Sequence, residues 1–135
     1  MIDATRALVI ERDNGEGDPR RACAGEPQPD CFNVPATFKR VYLVDFAQAD
    51  ADGFVEKTAY VDLMDIADPK GVALTGTIDE RFTFPFVTIE DVDVVDANHI
   101  VVANDNNLPF STGRTIGAAD DNEFILLNVG DFLGR

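Results

Sequence analysis

Short apolar runs separated by polar turns dominate the chain, and their composition is that of strands. Such runs occur at Ala7 to Glu11, Arg40 to Phe46, Phe54 to Leu63, Asp91 to Val95, His99 to Ala103 and Glu123 to Val129. Their Val, Ile, Leu and aromatic residues suit pleated backbone that is at least half buried. The compact segment Gln48 to Gly53 predicts an antiparallel hairpin between the second and third runs, and Asp96-Ala97-Asn98 predicts one between the fourth and fifth. Leu63 to Leu74 reads either as a helix or as an irregular crossover. The pattern therefore predicts an all-β fold of antiparallel meander sheets.

The chain also echoes itself. Ala7-Leu-Val-Ile-Glu-Arg-Asp-Asn14 resembles Ile100-Val-Val-Ala-Asn-Asp-Asn-Asn107, and each is followed by a polar loop and a second aliphatic strand. Repetition of one sheet unit points to propeller blades. The chain supplies about two such units, whereas a closed propeller needs ~4 to 8 blades. The sheets are thus expected to form an incomplete β-propeller.

Composition narrows the partners. The chain has 135 residues, 45% of them hydrophobic, which is enough for a real core. A net charge of −14 with only 11 Lys and Arg excludes a nucleic-acid binder, because phosphate backbones demand clustered cations. Cations and cationic ligands are the natural partners, although an acid excess also serves solubility alone. No stretch approaches the ~20 apolar residues of a membrane span, and Met1 to Arg6 lacks the basic-then-apolar pattern of a signal peptide. Cys23 and Cys31 lie in the polar, Pro-rich segment Ala22 to Pro35, where a loop disulfide is expected. A disulfide implies export, so the protein is expected to be secreted or periplasmic, with its signal peptide upstream of Met1.

The segment Phe82 to Glu123 is the most specific. It reads Phe82-Thr-Phe-Pro-Phe-Val-Thr-Ile-Glu90-Asp91, a strand pair, Asn104-Asp-Asn-Asn107, Pro109-Phe110, Gly113-Arg114 and Asp120-Asp121-Asn122-Glu123. Together with Val9-Ile10-Glu11-Arg12-Asp13, this resembles the C-terminal part of the esterase-like activity of phytase family. The resemblance implies that residues 1–135 are the C-terminal portion of a phytase-like propeller. Residues 6–78 would be the penultimate blade and crossover, residues 82–132 the last blade, and the remaining blades would lie upstream. It also implies a phosphoesterase-like activity, with a phosphorylated small molecule as substrate and carboxylates gathered at one end of the ring.

The residues at the strand ends suggest the chemistry. Glu11, Asp13, Glu90, Asp91, Asn104, Asp105, Asn106 and Glu123 are the candidate metal ligands, with Asn107 beside them. Hard oxygen donors of this kind suit Ca²⁺, which takes ~6 to 8 oxygens. The same Asn-Asp-Asn-Asn run also reads as a turn whose side chains bond their own backbone. Arg12 and Arg114 either clamp a phosphate or hold blades together by pairing with Glu11 or Glu90. In the phosphoesterase reading Glu90, Asp105 and Glu11 are the catalytic candidates, and a carboxylate such as Glu90 takes a proton from water. The alternative is a non-catalytic propeller segment that binds calcium or a partner.

Other constellations are set aside. Gln48 to Gly53 imitates the start of an EF-hand loop, but its first position is Gln and its closing position is Ala59 rather than Glu. His99 is the sole histidine, which excludes a His-rich zinc site, and Ser111 lacks the G-x-S-x-G setting of a hydrolase nucleophile. Phe82, Phe84, Phe86 and Phe110 read as packing aromatics of a sheet.

Overall fold

A computed structural model describes residues 1–134. The expected strands are all present: β1 (Arg6–Arg12), β2 (Lys39–Ala49), β3 (Val55–Asp62), β4 (Ile66–Ala67), β5 (Thr77–Ile78), β6 (Arg81–Phe82), β7 (Ile89–Asp96), β8 (His99–Asn104) and β9 (Phe124–Asn128). They form two three-stranded antiparallel meanders, β1-β2-β3 and β7-β8-β9, and a small sheet ordered β4-β6-β5. Both predicted hairpins form, β2 with β3 and β7 with β8. The fold is all-β, two partial blades that close no ring. Leu63 to Leu74 is the irregular crossover rather than a helix, carrying only the short strand β4.

The alternation of β2 decides where the core sits. Val41 and Leu43 face inward and meet Ile100, Val102 and Leu127 of the other meander in one cluster. Tyr42 and Val44 face the opposite way and pack with Ala7 and Phe38. Successive side chains on one strand thus serve opposite faces of the sheet.

The segment Phe82 to Phe86 departs from expectation. Its Phe residues alternate as in a strand, yet only Phe82 lies in one, and Thr83 and Pro85 are as buried as the rings. Pro85 has no N–H to give a ladder, and the neighbouring backbone groups bond elsewhere. Phe84 N–H donates to Leu63 O, Thr83 N–H to Gly76 O, and Pro85 O accepts from Gly17 N–H. The segment is a wedge in the core, with Phe84 and Phe86 edge to face, their centroids 4.9 Å apart. Phe110 does not join it: the residue is 77% exposed, in the turn closed by its N–H to Asn107 O.

The long connection from Asp13 to Phe38 is fastened at both ends. Cys23 and Cys31 form the expected disulfide. Asp18 accepts from Arg20 N–H and from the Thr83 hydroxyl, which ties the loop to the wedge. Gly15 approaches the Pro35 carbonyl so closely that an added Cβ would lie 2.3 Å from the oxygen.

Deleting the Phe84 ring leaves a cavity at a fully buried position. Phe84→Ala is expected to cost about 3–5 kcal/mol, read from urea unfolding. A loss below about 1 kcal/mol would show that the wedge does not carry the core.

Candidate functional site

Arg12 Nε donates to Ile89 O at 3.3 Å, which brings the end of β1 against the start of β7. The antiparallel registers then fix the rest. Arg12 pairs with Lys39, Arg40 with Asp62, Ile89 with Asn104 and Ala103 with Phe124. One end of both meanders therefore carries Glu11, Arg12 and Asp13 from the first sheet, and Glu90, Asp91, Asn104, Asp105 and Glu123 from the second. The opposite end holds His99, whose ring bonds Asp96.

Most of these residues are engaged within the chain. Asp13 is held most firmly: its carboxylate accepts from the N–H groups of Thr37 and Phe38, the Thr37 hydroxyl and Lys39 Nζ. Lys39 is fully buried and also donates to the carbonyls of Asp13 and Gly15. Burial pushes the Asp13 carboxyl up, but the hydrogen bonds from Lys39 and Thr37 outweigh it and hold the group at about 2. Burial pushes the Lys39 ammonium down from its ordinary value, with Asp13 opposing. Glu11 pairs with Lys57.

Asn104 is buried and works as a splice between strands. Its Nδ2 donates to the carbonyls of Asp105 and Asp121, and its Oδ1 accepts from Glu123 N–H. The rest of the run behaves as a turn: Asp105 Oδ1 accepts from Asn107 N–H and Asn106 Oδ1 from Leu108 N–H, while Asn107 Nδ2 donates to Ser111 Oγ. Asn107 sits at φ 47°, a conformation asparagine tolerates.

The two arginines divide. Arg114 makes a two-pronged pair with Glu123, Nε at 2.8 Å and Nη2 at 2.7 Å, donates Nη1 to Thr83 O, and lies against the rings of Phe82 and Phe86. It braces the wedge, and its partner is Glu123 rather than Glu11 or Glu90. Asp120 accepts from the N–H groups of Gly113 and Arg114, and burial raises its carboxyl above the ordinary value against those bonds. Arg12 is less committed: beyond Ile89 O it faces Glu90 at 3.9 Å.

The ligand set is therefore not gathered. Among the described residues, no three Asp, Glu, His or Cys side chains are grouped to hold a metal ion. Asp13, Asn104 and Glu123 are turned to internal bonds, and these residues alone do not fit a calcium shell. Glu90, Asp91 and Asp105 remain exposed at the shared end. Lys39 and the Arg114–Glu123 pair were missed in the sequence, where a lysine beside an arginine gives no sign of burial.

Removing the Asp13 carboxylate leaves the buried Lys39 charge uncompensated. Asp13→Ala is expected to cost about 3–5 kcal/mol. Because the folded carboxyl lies at about 2, below its ordinary 3.8, its contribution is complete above pH ~4 and is lost as pH falls toward 2. Melting temperatures between pH 5 and 2 should show this loss in the parent chain and not in Asp13→Asn. Parallel curves for the two would contradict the assignment.

The family model described as phytase-like, esterase-like activity of phytase, matches residues 1–108. The match takes in the Glu11-Arg12-Asp13 strand end, the wedge, Glu90 and the Asn104 to Asn107 turn, whereas Arg114 and Glu123 lie beyond it. No curated protein and no solved structure matches the chain. With most of its length matched, and an all-β fold of partial blades, the chain belongs to the phytase-like family.

Proposed function

We propose that this chain is a section of a phytase-like propeller that hydrolyses phosphoesters with calcium. The observation that supports the reading is the shared end of the two meanders, where Arg12, Glu90, Asp91 and Asp105 meet solvent while the neighbouring acids are paired. Arg12 has N–H donors beyond the one spent on Ile89 O, and they suit a phosphate oxygen. Glu90 accepts the proton of a water attacking phosphorus, as the ester P–O bond breaks and the departing alkoxide takes a proton from bulk water. Asp105 and Glu11 are the other candidate carboxylates at this end of the sheets. Calcium would neutralise phosphate charge, with the rest of its oxygen donors supplied by blades outside these residues. The disulfide supports an oxidising compartment, extracellular or periplasmic.

A second reading is a non-catalytic segment, favoured by the internal bonding of Asp13, Asn104 and Glu123. Assay of the full-length protein containing this chain separates the two. The hydrolase reading expects turnover of phosphomonoesters or phosphodiesters, abolished by EDTA, with kcat lowered ~10²-fold or more by Glu90→Gln and KM raised by Arg12→Ala. Full activity in Glu90→Gln, or in EDTA, would sink it. A melting temperature raised by Ca²⁺ without turnover would support the second.

A further inference from the structure

Asn14 and Gly15 are the one Asn-Gly pair of the sequence, and they sit inside the cradle that holds Lys39. The buried ammonium has three donors to satisfy. Its acceptors are the Asp13 carboxylate, the Asp13 carbonyl at 2.7 Å and the Gly15 carbonyl at 2.8 Å. The two carbonyls lie on either side of Asn14, so the length of main chain across that residue sets the fit.

An asparagine followed by glycine is open to attack by the next backbone nitrogen, because glycine has no Cβ to obstruct the approach. Gly15 N would bond to Asn14 Cγ and close a succinimide ring. The Cγ–Nδ2 bond breaks and ammonia leaves, with the Gly15 amide proton passing to hydroxide and the leaving nitrogen taking one from water. Water then opens the ring. Cleavage at Cγ leaves aspartate, whereas cleavage at the main-chain carbonyl leaves isoaspartate, whose main chain runs through Cβ and Cγ and is longer by a carbon.

The folded chain opposes the first step. Gly15 N–H donates to Asp13 Oδ1 at 3.1 Å and the Gly15 carbonyl holds Lys39. The Gly15 backbone is also wedged against Pro35, where an added Cβ would lie 2.3 Å from the carbonyl oxygen. The nitrogen that must attack is tied, and the backbone that must rotate has no room, although Asn14 itself is exposed.

We propose that Asn14 is a site of spontaneous deamidation gated by the Lys39 cradle, and that its isoaspartyl product cannot rebuild that cradle. Attack waits for the connection from Asp13 to Phe38 to open, so the rate follows the open population. The added main-chain carbon then separates the Asp13 and Gly15 carbonyls and leaves the buried ammonium short of an acceptor. The reactants are sequence neighbours and water, whatever blades lie beyond these residues.

The test incubates the protein containing this chain, its disulfide intact, in mildly alkaline buffer with and without denaturing urea. Peptide mass mapping reads conversion at Asn14, and chromatography resolves isoaspartate from aspartate. Conversion is expected to be at least about tenfold slower in the native state, and to rise with urea in step with hydrogen exchange at the Gly15 amide. Lys39→Met should speed native conversion. Should that variant not fold, the parallel urea dependence in the unaltered protein carries the same test. The isolated isoaspartyl protein should melt at least about 2 °C below its parent, while Asn14→Asp, with the same added charge on an unlengthened main chain, should melt with the parent. Equal rates in native and denatured protein would overturn the gating. No conversion in urea would overturn the site, and an Asn14→Asp protein that melts as low as the isoaspartyl one, or an isoaspartyl one that melts with the parent, would overturn the argument from length.

Discussion

The burial of one irregular segment, Phe82 to Phe86, is the constraint on which the rest of the molecule depends. Apolar side chains of the two three-stranded sheets pack in one buried cluster with the rings of the wedge. Its rings supply the apolar area and its backbone supplies the fastening. Thr83 and Pro85 both tie the connection from Asp13 to Phe38 to the core, through Asp18 and Gly17. Arg114 reaches in from the far side to cover both Phe82 and Phe86 while its charge is answered by Glu123. A buried polar group is tolerated only when bonded, and here the bonds from Thr83 to Asp18 and from Gly17 to Pro85 also join distant parts of the chain.

This economy explains the character of the candidate site. The strand ends converge where Arg12 joins the end of β1 to the start of β7, so acids from both meanders arrive at a common end. Several are then consumed by the fold. Asp13 neutralises Lys39 and Asn104 splices β8 to the segment before β9. What remains exposed at that end is Glu90, with Arg12 beside it, and separately Asp91 and Asp105. Acids already bonded inside a chain lose part of their value as ligands, because a cation would have to replace those bonds.

The regular parts of the fold were legible because strands announce themselves by composition and by the turns between them. Gln48 to Gly53 and Asp96 to Asn98 closed the hairpins they predicted, and the two cysteines of one polar loop paired. Family membership was legible from the wedge and the Glu-Arg-Asp strand end. The wedge's conformation was not, since alternating Phe residues read as a strand whether or not a partner strand exists. Phe110 looked like a core aromatic and lies outside, because aromatic identity does not reveal which side of a turn a ring takes. Lys39 was invisible for the opposite reason: its burial depends on carbonyls at Asp13 and Gly15 that only the folded loop brings to it.

The central claim is that the wedge makes the two meanders one cooperative unit. Native-state hydrogen exchange in increasing urea measures this directly at Val41 and Leu43 of β2 and at Ile100 and Val102 of β8. Exchange in both strands should converge on a single opening free energy equal to that of global unfolding. If the β8 amides opened through a separate transition, several kcal/mol below those of β2, the sheets would be independent and the account contradicted.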